Sequence, residues 1–166
     1  FIENTAPVCA DGITDACLIP TFSSLDTPFT YSWTSNGTFV SSDLTLCFPD
    51  VGPAQNGPYP FVVKDKYGCP SAPSTATINV QAQVATPQLL VSPNPVCVGN
   101  SVTLSLGNTY NGGPQYHWIN PQHDTITTTG PQLVLLGVSL VQGGDYNGYV
   151  AQGACASPPA NTVTLV

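Results

Sequence analysis

The segment PVCVGNSVTLSL at 95–106, followed by YHW at 116–118 and CASPP at 155–159, decides the fold because its pattern occurs twice. An earlier copy lies 85 to 88 positions upstream, in the same order and with nearly the same spacing. The matched pairs are Pro7–Cys9 with Pro95–Cys97, Tyr31–Trp33 with Tyr116–Trp118, and Cys69–Pro73 with Cys155–Pro159. Such self-similarity is the signature of a repeated structural unit.

The repeat predicts the domain organisation. We expect a first module at 1–81, a short linker at 82–87 and a second module at 88–166. The linker ends in a proline, so it should hold the modules end to end with limited swing, unlike a Gly/Ser tether. The chain contains no methionine, so we expect it to be a piece of a longer product.

The apolar residues alternate along short segments that Pro and Gly interrupt, which predicts β-strands rather than helices. Each module holds about seven such segments with its Trp on the third, the arrangement of an immunoglobulin-like β-sandwich. The predicted strands are 2–8, 16–22, 29–33, 43–48, 59–64 and 74–80, then 89–92, 101–106, 115–119, 132–136, 146–152 and 161–166.

Finer features follow from the same pattern. Asn36-Gly37 predicts a tight hairpin. Tyr59 and Tyr146, each two residues after a Gly, resemble the tyrosine corner of these sandwiches. The continuously apolar segment 132–136 predicts a strand covered on both sides. The predicted core of the second module is Val102, Leu104, Leu106, Trp118, Leu133, Leu135, Val163 and Leu165.

The six cysteines predict disulfides, because small secreted modules need covalent support. The second module holds only Cys97 and Cys155, so we expect them to pair. Their equivalents in the first module, Cys9 and Cys69, should pair in the same way, and Cys17 is left for Cys47. Cys47 alternates out of phase with Leu44 and Leu46, which places that bond on the outer face. A zinc site is not predicted, since no C-x-x-C occurs.

Charge and composition restrict the function. The net charge is −7, with two Lys and no Arg, so nucleic acids and anionic membrane surfaces are disfavoured as partners. The longest apolar run, 133–141, is too short for a membrane helix. Thr, Ser, Asn and Gln make up about a third of the chain, while only 7% of residues are charged. These properties suit an extracellular β-protein in an oxidising compartment.

The motifs P-x-C-x-G-x-S-V-T-L (95–104), Y-x-W (116–118), G-x-Y (144–146) and N-T-V-T-L-V (161–166) resemble a known family. They are similar to the PKD/Ig-like repeats of Bacteroidota cell-surface proteins, including gliding-motility adhesins exported by the type IX secretion system. The first module departs from the pattern by three inserted residues and by Cys17 and Cys47. The resemblance implies tandem display at the cell surface next to further modules of the same chain. It names no ligand.

Several residues could form sites, and each has a plainer interpretation. Trp33 and Trp118 could stack on sugar, but the third strand of a sandwich is expected to carry a core aromatic. Asp11 and Asp15 could begin a calcium site, although a solvated acidic loop also accounts for them. Asp124-Thr125-Ile126 is similar to the O-glycosylation acceptor of Bacteroidota proteins, which makes Thr125 a candidate modification site or part of a plain exposed turn. Asn36-Gly37-Thr38 fits an N-glycan acceptor, but its hairpin role already explains it.

No catalytic group, cofactor or metal is predicted. His117 should point outward beside the core Trp, His123 lies in a polar loop, and neither has a recognisable nucleophile nearby. The polar loops at 108–113 and 122–130 are the predicted location of any binding function, towards polysaccharide or protein. We expect a non-catalytic repeat fragment of a surface adhesin that serves as a rigid stalk, with an accessory carbohydrate- or protein-binding module of a secreted hydrolase as the alternative.

Overall fold

The computed structural model describes residues 7–21 and 28–166 and divides the chain into two compact units, 1–82 and 83–166. We call them unit 1 and unit 2. Among the described residues, no helix has the length and apolarity that crossing a membrane requires. The predicted boundaries and the linker at 82–87 stay predictions. Within unit 2, Val84 and Pro87 of this segment are buried.

Unit 1 is built from short strands because its apolar residues alternate with polar ones. The strands are β1 Val8–Ala10, β2 Ala16–Leu18, β3 Thr30–Ser35, β4 Thr38–Ser41, β5 Leu46–Phe48, β6 Gly57–Lys64, β7 Ser74–Ile78 and β8 Val80–Ala82. One sheet has the order β4-β3-β6-β7, β2 pairs with β5, and β1 runs parallel to β8. The predicted strands at 2–8 and 16–22 lie partly outside the described residues.

Unit 2 repeats this plan. Its strands are β9 Leu89–Ser92, β10 Val102–Leu106, β11 Gln115–Ile119, β12 Thr125–Thr128, β13 Gln132–Leu135, β14 Gly144–Gln152, β15 Cys155–Ala156 and β16 Val163–Leu165. One sheet has the order β13-β10-β9, the other has the order β12-β11-β14-β15, and β16 also pairs with β14. The two units are immunoglobulin-like β-sandwiches, as the strand pattern predicted, and unit 1 contains a disulfide between Cys17 and Cys47.

The core of each unit surrounds its tryptophan. Trp33 and Trp118 are fully buried, and both were predicted there. Trp33 packs on Phe61 with a ring-centroid distance of 4.3 Å. Trp118 lies opposite Gly148 on the neighbouring strand. A Cβ atom at position 148 would approach the His117 carbonyl oxygen to 2.8 Å, so position 148 has no room for a side chain.

Segment 132–136 differs from its prediction. β13 is an edge strand, so Val134 and Leu136 are exposed instead of covered. Leu133 and Leu135 face the core but are only half-buried for the same reason, and Val163 is half-buried as well. The remaining predicted core residues, Val102, Leu104, Leu106, Trp118 and Leu165, are buried.

Candidate binding surfaces

The tyrosine corners define one end of each unit. The Tyr59 hydroxyl donates a hydrogen bond to the Gln55 carbonyl at 2.9 Å, and the Tyr146 hydroxyl donates one to the Gln142 carbonyl at 3.0 Å. In each unit the bond fixes a short 3-10 turn, Pro53–Gln55 or Leu140–Gln142, before the following strand begins. Both predicted corners are confirmed. We call this end of each unit its corner end.

We expect Tyr146→Phe to lower the free energy of unfolding of unit 2 by about 1 to 2 kcal/mol, because the Gln142 carbonyl loses its hydroxyl donor. Urea denaturation measures this. Tyr149→Phe is the matched control on the same strand, since the Tyr149 ring is half-buried and stacks on His117. A loss in Tyr149→Phe as large as that in Tyr146→Phe would contradict the corner's role.

Burial raises the pKa of Tyr59 and of Tyr146 above the ordinary tyrosine value. Because the folded state favours the protonated phenols, this contribution to stability is present below the unfolded pKa and is lost as pH rises through the folded one. We therefore expect the chemical-denaturation midpoint to fall above about pH 10. Replacing both tyrosines with Phe should flatten that alkaline decline, and an unchanged decline would attribute it to other groups.

The disulfide predictions are confirmed at one pair and wrong at two. Cys17 lies directly opposite Cys47 on β2 and β5, with a Cα–Cα distance of 4.1 Å, and their sulfurs are bonded. Both residues are exposed, while their neighbours along the strands are buried or half-buried, which places this bond on the outer face as expected. Cys69 and Cys97, in contrast, carry free and exposed thiols. The predicted bonds Cys9–Cys69 and Cys97–Cys155 are therefore not formed.

Strand geometry explains the two missing bonds. In unit 1, Cys9 pairs with Gln81 at the corner end, while Cys69 lies in the turn between β6 and β7. Strands β7 and β8 separate these positions by roughly 30 Å at the usual rise per residue. A disulfide needs Cα atoms within about 7 Å. Unit 2 has the same arrangement. Cys97 follows Val96, whose amide donates to the Val166 carbonyl at the corner end, next to the pair of Leu165 with Gly144. Cys155 pairs with Gln152 in the hairpin at the opposite end.

The acidic loop of unit 1 stabilises its own turn. One Asp11 carboxylate oxygen accepts the amides of Ile13 and Thr14 at 3.0 and 2.9 Å, and the other accepts the Thr14 hydroxyl at 2.9 Å. The hydrogen bond from the Ile13 amide is the main cause that lowers the Asp11 pKa. In the described part of the chain, no group of three potential metal-ligating side chains comes together.

The turn before Thr125 is also ordered by its own side chains. The Asn120 side-chain oxygen accepts the amides of Gln122 and Asp124 at 3.0 and 2.8 Å, and Thr125 is exposed where β12 begins. Exposure leaves the hydroxyl accessible, and glycosylation of Thr125 stays a prediction. The Asn36-Gly37 hairpin is confirmed, with φ values of 48° and 77°.

The two histidines are not brought together. His117 is half-buried on the outer face of β11, with its Nδ1 3.0 Å from the Thr127 hydroxyl and its ring stacked on Tyr149 at 4.6 Å. His123 lies at the β11–β12 turn and lines a shallow pocket of about 390 Å³ with Asp145. The pocket's Asn147 amide is already bonded to the Ala160 carbonyl and the Thr162 hydroxyl.

The loop at 108–113, a predicted binding loop, partly packs on its own unit. The Tyr110 hydroxyl donates to the Ala85 carbonyl and the Asn108 amide to the Thr86 carbonyl, each at 2.8 Å.

The sequence did not predict a different surface, a set of exposed apolar side chains at the corner end of unit 2, where Leu140 is 86% exposed. Its one signal was the apolar run at 133–141.

No family model and no curated protein matches this sequence. Solved structures match its fold. Murine CEACAM1b is 18% identical with a TM-score of 0.60, and the match covers 99% of this chain and 98% of that one. Extracellular domains 3–5 of Drosophila OTK are 16% identical with a TM-score of 0.58, over 99% of this chain and 59% of that one. Domains A168–A170 of titin are 14% identical with a TM-score of 0.57, over 94% and 59%. The chain therefore has the fold of tandem immunoglobulin-like domains.

Proposed function

We propose that this chain is a non-catalytic, extracellular pair of immunoglobulin-like modules, a repeat fragment of a large bacterial surface adhesin that serves as a stalk. One observation carries the proposal: the side chains of this chain that could have bound a ligand are engaged within the fold. Trp33 and Trp118 fill the two cores, and the Asp11 carboxylate holds its own turn. The side chains best suited to bind a ligand instead stabilise the modules.

Three further properties support surface display. The repeat predicts neighbouring modules of the same kind, and the sequence motifs resemble Bacteroidota adhesin repeats. The Cys17–Cys47 bond fits an oxidising compartment. The tandem fold is shared with murine CEACAM1b and with OTK extracellular domains. Export by the type IX system and a role in gliding belong to this proposal.

The coding sequence around this fragment tests the proposal. We expect further modules that repeat the Cys, Trp and G-x-Y anchors at a spacing of about 85 residues. Deleting whole modules from the full-length protein should shorten its surface projection in electron micrographs, in proportion to the number removed. An adjacent hydrolase domain, together with binding of this pair to a polysaccharide panel, would overturn the stalk assignment in favour of an accessory binding module.

A further inference from the structure

The corner end of unit 2 exposes several apolar side chains and a free thiol on two adjoining segments. Hydrogen bonds of 2.8 Å between the Gly99 amide and the Val138 carbonyl, and between the Val138 amide and the Asn100 carbonyl, join the turn after Cys97 to segment 136–141. We call the following residues the corner patch: Cys97, Val98, Leu136, Leu140 and Val141. The four apolar members are 63 to 86% exposed. Exposed apolar clusters commonly mark interaction sites.

The charges near the corner patch are negative. Unit 2 has no Lys or Arg, and its only carboxylates are Asp124 and Asp145. Both lie at the corner end. The Gln122 side chain joins the turn that carries Asp124 to the Val141 carbonyl at 2.8 Å, and Asp145 begins the strand after the corner.

The β6–β7 turn of unit 1 combines positive charge with an exposed aromatic ring and the other free thiol. We call this turn, residues 64–70, the Cys69 hairpin. It carries both cations of the chain, Lys64 and Lys66, and both are exposed. Asp65 lies between them, and its carboxylate accepts the amides of Tyr67 and Cys69 at 2.8 and 2.9 Å. Tyr67 is 79% exposed, with the Lys66 ammonium 5.1 Å from its ring centre.

We propose that the corner patch of one chain binds the Cys69 hairpin of a second copy, head to tail, and that a Cys97–Cys69 disulfide then links them. The apolar surface meets the exposed Tyr67 ring, while the two carboxylates meet the two ammonium groups, which is the complementarity that directs specific association. Such a contact uses different surfaces on the two copies, so it can repeat along a filament. This self-assembly goes beyond the proposed stalk function.

The covalent step is thiol–disulfide exchange with a small-molecule disulfide such as oxidised glutathione. The Cys97 thiolate attacks one sulfur of the oxidant, and one glutathione thiolate leaves. The Cys69 thiolate of the second copy then attacks the Cys97 sulfur of the mixed disulfide and releases the second glutathione thiolate. The two protein thiols lose two electrons and two protons in total, and one oxidised glutathione becomes two reduced ones.

Two single variants of the full chain test the pairing. Cys69→Ser retains only the Cys97 thiol, and Cys97→Ser retains only the Cys69 thiol; both positions are exposed, so the fold should tolerate them. In a glutathione redox buffer, the mixture should form a Cys97–Cys69 heterodimer about tenfold faster than either variant alone forms a homodimer. Non-reducing gels give the rates, and mass spectrometry of the linked peptides identifies the bond. Equal rates for all three samples, or no cross-link, would overturn the proposal.

The contact surface is tested separately from the thiols. Leu140→Asn and Lys66→Glu should each slow the cross-linking of otherwise unchanged chains by about tenfold, and added salt should slow it as well. Leu90→Asn is the matched control, since Leu90 is 61% exposed on β9, away from the corner patch. If Leu140→Asn and Leu90→Asn have the same effect, the corner patch is not the docking surface. None of these results bears on the stalk function, which the neighbouring coding sequence tests.

Discussion

Trp118→Ala is expected to lower the free energy of unfolding of unit 2 by about 4 kcal/mol, the usual cost of deleting a buried aromatic side chain. The indole is fully buried, and its Nε1–H donates to the Thr128 hydroxyl at 2.9 Å. That hydroxyl donates in turn to the Gly130 carbonyl at 2.7 Å, so truncation breaks a short chain of hydrogen bonds in addition to opening a cavity.

Each unit contains one tryptophan, which makes the measurement selective. Amide exchange on β11 and β14 reports the loss in unit 2, while the remaining Trp33 fluorescence reports unit 1. We expect the Trp33 transition to keep its midpoint in urea. Trp118→Phe is the matched control and should show a smaller loss, because it retains most of the apolar volume. A loss below about 1 kcal/mol in Trp118→Ala would contradict the central role of this side chain.

Replacing Cys17 and Cys47 together with serine is expected to destabilise unit 1 by about 3 to 4 kcal/mol, the value that the chain-entropy model gives for a loop of this length. The two residues are 30 positions apart. For a unit of this size, the melting temperature should fall by on the order of 20 °C. Calorimetry measures the shift.

Cys69→Ser with Cys97→Ser is the matched control for the disulfide. It removes the same number of sulfur atoms, but both thiols are free and exposed, so the melting temperatures of the monomer with its Cys17–Cys47 bond intact should not change. If the Cys17/Cys47 double variant melted at the same temperature as this control, the bond would contribute nothing to the stability of unit 1.

Local sequence patterns predicted much of the fold. Alternation located most of the strands but not β4, β12 or β15. Asn36-Gly37 located a hairpin, and the two G-x-Y motifs located the tyrosine corners, because each depends on neighbouring residues. The Cys17–Cys47 bond was predicted by elimination, after the repeat-related cysteines had been assigned to each other. The structure confirms it, because the two residues lie directly opposite on β2 and β5.

The other features depend on which end of a sandwich a residue occupies. The repeat shows that Cys9 is equivalent to Cys97 and Cys69 to Cys155, but equivalence says nothing about proximity. One full strand separates the Tyr59 corner from the Cys69 hairpin, so the two cysteines of each predicted pair lie at opposite ends. The corner patch was missed for a similar reason, because segment 132–136 belongs to an edge strand whose neighbours only the tertiary fold defines.

The parallel pairing of β1 with β8 determines how unit 1 responds to tension. Val8, Cys9 and Ala10 lie beside Val80, Gln81 and Ala82, so a pull on the two ends of the unit shears these three positions at once instead of unzipping them one by one. Hydrogen bonds that share a load resist it together, and forced unfolding is governed by the height of the unfolding barrier. A unit fastened in this way should keep its length until the whole set of bonds fails in a single step.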